Sequence, residues 1–69
     1  MKYAIVIEKS ETGYGAYVPD LPGCIAVGET IEETESLIRE AVGFHLEGLR
    51  ADGACIPAPT SRAEYVEVA

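Results

Sequence analysis

Alternating hydrophobic and polar positions divide the first part of the chain into three short extended segments. Residues 2–9 are rich in Ile and Val, residues 14–18 continue in extended form after a polar turn, and residues 24–27 form a third short run that Gly28 closes. Runs of this kind, separated by turn residues, predict β-strands. The first two predict a hairpin in which Gly13 adopts a positive φ. We therefore expect a small, mainly antiparallel sheet.

A single helix should follow the third strand. Thr30 and Glu33 form a capping box, in which the Thr hydroxyl accepts a bond from a first-turn amide and the carboxylate reaches back. Apolar residues at three- and four-residue spacing then predict one buried stripe. That stripe consists of Leu37, Ile38, Ala41, Val42, His45 and Leu49. Gly53 suits a left-handed C-terminal cap, so the helix should span about residues 31–50.

Two proline-rich segments complete the pattern. Residues 19–23 (Pro-Asp-Leu-Pro-Gly) predict a rigid loop, because each proline fixes φ and removes a backbone donor. Residues 56–59 (Ile-Pro-Ala-Pro) cannot continue the helix, and residues 65–68 alternate again and predict a fourth strand. The expected fold class is α+β, in the order β-β-β-α-β, with one helix on the sheet and a single domain over residues 1–69.

Charge and length limit what such a domain can do. Five Lys and Arg residues against twelve Asp and Glu residues give a net charge of −7. This chain should repel nucleic acid and attract a basic protein. One helix covers only one face of the sheet, so the apolar residues of the other face predict a homo-oligomer or a permanent partner. No apolar run reaches the roughly 18 residues of a membrane span and no signal-peptide pattern is present, so we expect a cytoplasmic protein.

Few residues are candidates for metal binding or catalysis. Cys24 and Cys55 lack the spacing of a zinc site and are expected as reduced thiols, although a disulfide between them stays open. His45 is the single histidine and is expected to pack on or beside the helix stripe. We expect no cofactor, no metal and no catalytic residue.

Three groups of residues resemble the HicB-type antitoxin family. The strand of residues 3–7 is followed by Gly-Tyr-Gly-Ala-Tyr-Val at 13–18 and Pro-Asp-Leu-Pro-Gly-Cys at 19–24. Residues 28–33 (Gly-Glu-Thr-Ile-Glu-Glu) are similar to the family's G-D-T-x-E-E helix start, and residues 56–59 resemble its I-P-x-P segment. The combination of the proline loop and the capped acidic helix, at this spacing, carries the resemblance.

The resemblance implies a partial ribonuclease H-like fold without nuclease activity. It also implies an antitoxin that binds and neutralises a small, basic, HicA-like ribonuclease toxin, which cleaves mRNA. Thr34 stands where the family usually has alanine. Many members carry a further C-terminal DNA-binding domain, whereas only ten residues follow Pro59, so we do not expect operator binding by this chain.

The rigid loop and the acidic front of the helix are the expected toxin-binding residues. They are Asp20, Leu21, Pro22, Glu29, Glu32 and Glu35. The carboxylates should speed association with a basic partner, and the apolar loop residues should slow dissociation. A solvated helix face, and an aspartate that caps its own turn, are the alternative interpretations of these carboxylates.

Two other functions stay open from the sequence. One is an orphan, small oligomeric binding protein without a toxin partner. The other, less favoured, is a metal-dependent nuclease, which would need carboxylates that converge on Mg²⁺; Glu8, Glu40 and Glu67 are its candidates. A neighbouring gene that encodes a basic protein would favour the antitoxin over the orphan protein.

Overall fold

The computed structural model describes residues 1–69 and contains three strands and one helix. Strands β1 (Val6–Lys9), β2 (Tyr14–Tyr17) and β3 (Ile25–Gly28) precede helix α1 (Ile31–Ala51). The strand order is β1-β2-β3, and both neighbouring pairs are antiparallel. The predicted α+β class, with one helix on a small antiparallel sheet, is confirmed.

The turn between β1 and β2 differs in detail from the prediction. The Ser10 N–H donates to the Gly13 carbonyl at 2.8 Å, which closes the hairpin. Gly13 does not adopt a positive φ. Glycine is needed there for a different reason, because a Cβ at this position would collide with the carbonyl oxygen of Gly28.

Two successive turns shape the proline-rich loop between β2 and β3. The Leu21 N–H donates to the Val18 carbonyl, and the Cys24 N–H donates to the Leu21 carbonyl, both at 3.0 Å. In the second turn Pro22 takes the second position and Gly23, at φ +85°, takes the third, as in a type II turn. The loop thus consists of two hydrogen-bonded turns, built on the prolines and the glycine that the sequence singles out.

The core lies between α1 and one face of the sheet. Its buried hydrophobic residues are Ala16, Val18, Leu21, Cys24 and Ile38. Tyr3, Ile5 and Ile7 pack against this cluster. Because side chains alternate along a strand, Ala4 and Val6 belong to the opposite, outer face of the sheet.

Helix α1 begins and ends where its capping residues predict. The Thr30 Oγ1 accepts a hydrogen bond from the Glu33 N–H at 3.0 Å, which is one of the two bonds expected of a capping box; the Glu33 carboxylate does not bond back to Thr30. At the other end Gly53 has φ +67°, and the Ala54 N–H donates to the Leu49 carbonyl at 2.9 Å. With a further bond from the Gly53 N–H, this is a Schellman motif.

The stripe that α1 buries is rotated slightly from the prediction. The residues that face the sheet are Thr34, Ile38, Ala41, Val42 and Leu46. Leu37, which the spacing predicts in the stripe, is 39% exposed. Thr34 is fully buried, and its hydroxyl donates to the Thr30 carbonyl at 2.7 Å, so the buried polar group is satisfied.

The fourth strand predicted at residues 65–68 is not formed. Tyr65, Val66 and Val68 are 98%, 83% and 84% exposed. A strand requires a neighbour for its backbone N–H and C=O groups, and no backbone hydrogen bond joins this segment to the sheet. The alternating pattern is thus present, but residues 65–68 pair with neither free edge of the sheet.

Candidate partner-binding surface

The predicted toxin-binding residues lie at the two ends of β3. Asp20 and Pro22 belong to the loop that precedes β3, and Glu29 and Glu32 follow it, where α1 begins. Strand β3 is at the edge of the sheet, with a neighbour on one side only. The residues therefore flank one free edge instead of forming a single cluster. We call this region, residues 20–35 without their buried side chains, the β3 surface.

Leu21 is not part of the β3 surface, which corrects the role expected for it. Its side chain has no exposed area, because the two turns of the loop direct it into the core. Leu21 therefore fixes the shape of the loop and does not reach a partner. Pro22, the next residue, is exposed and is the apolar loop residue that a partner can contact.

Asp20 holds the segment after the helix instead of capping its own turn. Its Oδ2 accepts from the backbone N–H of Thr60 at 3.0 Å and of Ser61 at 2.9 Å. Its Oδ1 accepts from the hydroxyls of the same residues, at 3.0 Å and 2.8 Å. The backbone N–H of Ser61 contributes most to holding the pKa of Asp20 below its ordinary value. We call this group of bonds the Asp20 clamp; it joins residues 40 positions apart, and no sequence signal indicates it.

The three glutamates at the helix front, Glu29, Glu32 and Glu35, differ in whether they form an ion pair. The Glu35 Oε1 accepts from the Arg39 Nη2 at 2.9 Å, one turn along the helix. The Arg39 side chain is 73% exposed and the Glu35 side chain is 44% exposed, so this ion pair contributes at most about 0.5 kcal/mol. Glu29 and Glu32 are exposed and form no ion pair. The start of α1 therefore presents free negative charge to solvent.

Strand β3 exposes backbone groups and apolar side chains together. The Val18 N–H donates to the Cys24 carbonyl at 3.2 Å, and antiparallel pairing alternates, so the backbone groups of Ile25 and Val27 point away from β2. The side chains of Ile25 and Val27 are 67% and 75% exposed, beside the exposed Tyr17. Ile25 and Val27 are not among the predicted binding residues, although the alternation Ile-Ala-Val indicates one exposed face.

The two cysteines and the three carboxylates considered for a nuclease do not form a common site. Cys24 is buried and Cys55 exposed, and both are free thiols; burial raises the pKa of Cys24. Glu8, Glu40 and Glu67 lie on β1, on α1 and in the C-terminal segment. No group of three or more His, Cys, Asp or Glu residues is arranged to hold a metal ion. No helix combines the length and apolar character needed to cross a membrane.

Comparison with known proteins places the chain among antitoxins. The family model described as HicB-like antitoxin of bacterial toxin-antitoxin system matches residues 3–68. An uncharacterised protein of Haemophilus phage HP1 is 39% identical over 66 residues, which are 96% of this chain and 50% of that protein. Antitoxin HicB 2 of Photorhabdus laumondii is 32% identical over 69 residues, 99% of this chain and 50% of that protein. The chain thus spans half the length of each of these relatives.

A solved structure agrees with the sequence comparisons. A chain of a HicA3 and HicB3 toxin-antitoxin complex superimposes with a TM-score of 0.74 and 33% identity, over 87% of this chain and 70% of that one. The family match covers nearly all of the sequence, including the proline loop, the helix start and the I-P-x-P segment. This chain belongs to the family of HicB-like antitoxins of bacterial toxin–antitoxin systems.

Proposed function

We propose that this chain is an antitoxin that binds and neutralises a small, basic, HicA-like toxin that cleaves mRNA. The observation that carries the proposal is the β3 surface, where a free sheet edge lies beside the unpaired carboxylates Glu29 and Glu32. Family membership supports the antitoxin role, and the similar solved structure is itself a toxin–antitoxin complex.

Electrostatics favours this partner. A toxin that binds mRNA must present basic residues to the phosphates, and a chain of net charge −7 attracts the same residues. Neutralisation then consists of covering the RNA-binding face, which requires no catalytic residue, cofactor or metal from the antitoxin. The proposal places the protein in the cytoplasm, where mRNA is translated, and expects no direct binding of nucleic acid by this chain alone.

The geometry of β3 suggests how contact is made. The outward backbone groups of Ile25 and Val27 can hydrogen-bond to an extended segment of the toxin, while their exposed side chains supply apolar contact. Pro22 and the helix front border this edge, so each of these elements can contribute to one interface. Asp20 contributes indirectly, through the Asp20 clamp.

Charge reversal at the helix front tests the proposed surface. The variant Glu32→Lys with Glu35→Lys should associate more slowly with the toxin and keep its dissociation rate, because exposed charges act mainly on encounter. Glu40→Lys with Glu47→Lys is the matched control: it has the same net charge, but its substitutions lie in exposed positions farther along α1. Stopped-flow measurements at two salt concentrations give both rates.

The two double variants distinguish an effect of the charges at the helix front from an effect of the total net charge on the association rate. If only the helix-front variant associates more slowly, the result supports toxin binding at the β3 surface. Equal slowing of both variants would show that only the total charge matters, and no slowing of either would contradict the charge-steered mechanism. Circular dichroism checks that each variant is folded.

Self-association belongs to the same proposal. Apolar side chains remain exposed on the outer face of the sheet and in the C-terminal segment, as expected of a chain that assembles. An orphan oligomeric protein without a toxin partner is the competing function. Sedimentation equilibrium of the chain alone measures self-association, and an oligomer that binds no toxin would support the orphan function.

A further inference from the structure

Helix α1 carries a second apolar stripe, which the sheet does not cover. Leu37, Ala41, Phe44 and Gly48 recur along α1 at spacings of four, three and four residues. Because an α-helix turns about 100° per residue, these positions share one flank, centred about 90° away from the buried Ile38. Leu37 is 39% exposed and Phe44 is 65% exposed. We call this flank the helix seam.

The helix seam is separate from the other apolar surfaces of the molecule. Val42 and Leu46 lie on the opposite flank of α1, where they line a groove beside the start of the chain. Strand β3 has four residues and is about 13 Å long, whereas Phe44 comes 13 residues after Ile31, or about 20 Å along α1. The half of the seam around Phe44 therefore extends past the end of β3. A segment bound along β3 leaves this half free.

The seam has room for the side chains of a partner. A notch of about 190 Å³ is lined by Glu40, Gly43, Phe44 and Glu47. A Cβ at Gly43 or Gly48 would meet nothing within 4 Å, so both glycines leave open space beside the aromatic ring. Apolar positions at alternating three- and four-residue spacing are typical of a helix that packs against a second helix.

The solvent-side border of the helix seam is acidic. Glu33, Glu40 and Glu47 recur along it every seven residues. All three residues are exposed, and none forms an ion pair. In paired helices, positions beside the apolar stripe contact charged residues of the partner helix. The complementary partner is therefore a helix whose apolar stripe is flanked by Lys or Arg.

The same charges disfavour other occupants. Nucleic acid and anionic lipid carry negative charge and would be repelled by the acidic border. A second copy would bring an identical border. In an antiparallel pair that sets Phe44 of each copy against Ala41 of the other, Glu40 lies near Glu47 of the other copy. Such like-charge contacts oppose association.

We propose that the helix seam binds an amphipathic, basic α-helix of a protein other than the toxin. Phe44 contacts the apolar stripe of that helix, and Glu40 and Glu47 lie beside its Lys or Arg residues. An amphipathic helix that lays its apolar face on a matching surface is a recurring mode of recognition. This inference does not rest on toxin binding, because the half of the seam around Phe44 lies outside the β3 surface. The two proteins bind at the same time.

A synthetic helical peptide tests the seam. It carries Leu at the spacing of the seam and Lys on the border that meets Glu40 and Glu47, and fluorescence anisotropy measures its Kd for the folded chain. A control peptide has the same composition, but its Leu residues are distributed around the helix. The seam peptide should bind about tenfold more tightly than the control peptide, because only its apolar stripe can cover Phe44.

Two variants alter the seam without changing the core. Phe44→Ala should weaken binding of the seam peptide about tenfold, because it removes the exposed aromatic contact. Gly48→Leu should also weaken binding, because it fills the open space on the seam, and leucine favours the helix, so the variant stays folded. Val27→Ala is the matched control: it truncates an exposed apolar side chain on β3 and should leave the Kd of the peptide unchanged.

Each outcome decides the proposal. Equal binding of the two peptides, or unchanged binding by Phe44→Ala and Gly48→Leu, would overturn it, since net charge alone would then attract the peptide. Displacement of the seam peptide by a HicA-like toxin would also overturn it, because the toxin would then cover the seam. In sedimentation equilibrium, a dimer of the parent chain that dissociates in Gly48→Leu would show that a second copy occupies the seam instead.

Discussion

Gly28, the last residue of β3, lies so close to α1 that only a hydrogen fits in place of a side chain. A Cβ there would lie 2.5 Å from the Thr34 Oγ1 and 3.0 Å from the Thr34 backbone nitrogen. The Thr34 hydroxyl cannot turn aside without losing its bond to the Thr30 carbonyl. This single contact sets how closely the helix start approaches the sheet, and with it the position of the acidic helix front.

Substitution of Gly28 should therefore destabilise the fold. We expect Gly28→Ala to lower the free energy of unfolding by about 1–3 kcal/mol, as overpacking does. Adding Thr34→Ala should recover part of the loss, because it removes the nearest atom but not the backbone nitrogen. Gly15→Ala is the control, since a Cβ at Gly15 meets nothing within 4 Å. Urea unfolding measures the four chains; equal stability of Gly28→Ala and Gly15→Ala would contradict the contact.

The Asp20 clamp should depend on pH. Because hydrogen bonds lower the pKa of Asp20, the clamped form binds protons less readily than the released form. The clamp's contribution is fully present above the ordinary aspartate pKa of about 3.9 and is lost as pH falls through the lowered value. NMR should show the amide signals of Thr60 and Ser61 shifting over that acidic range.

Removal of the carboxylate gives the matched test of the clamp. Asp20→Asn should shift the Thr60 and Ser61 amide signals toward released positions already at neutral pH. Asp52→Asn, at the end of α1, should leave them unchanged. Signals of Thr60 and Ser61 that are the same in the parent chain and in Asp20→Asn would show that the carboxylate does not hold this segment.

Among the elements, those fixed by local interactions follow from the sequence. The Thr30 cap, the Gly53 cap and the turn at Pro22 each depend on residues within a few positions, so they can be predicted from the sequence. The Asp20 clamp joins positions 40 apart, and the unformed strand at 65–68 depends on a partner edge; neither has a local signal. Leu21 shows the same limit, because its burial depends on the whole loop.

Truncation of a buried side chain of α1 or of the loop between β2 and β3 should lower the stability of the fold to a similar extent. Ile38→Ala and Leu21→Ala should each lower the free energy of unfolding by about 2–5 kcal/mol, because both side chains are fully buried and leave cavities. Val42→Ala should cost less, because Val42 is half-buried. Leu37→Ala, at an exposed helix position, is the control and should change stability little. Denaturant unfolding that ranks Leu37→Ala with Ile38→Ala would show that α1 packs through a different face.

At the scale of the whole molecule, the two edges of the sheet differ in chemistry. Strand β3, with exposed Ile25 and Val27 and the acidic helix front, is the proposed toxin-binding edge. At the other edge, beside the start of β1, an apolar groove is lined in part by the basic Lys2 and Arg39. The family can be recognised from the sequence because its motifs lie in contiguous segments. The difference between the two sheet edges cannot be predicted in this way, because it depends on the strand order.

The central claim is that this chain neutralises an mRNA-cleaving toxin by covering its RNA-binding face, and cleavage in its presence is the direct measurement. The substrate is a defined mRNA and the nuclease is a purified HicA-like toxin. We predict that cleavage falls in proportion to added chain and stops at a fixed stoichiometry, and that Glu8→Gln inhibits equally well because no catalytic carboxylate takes part. Undiminished cleavage in excess folded chain would contradict the account.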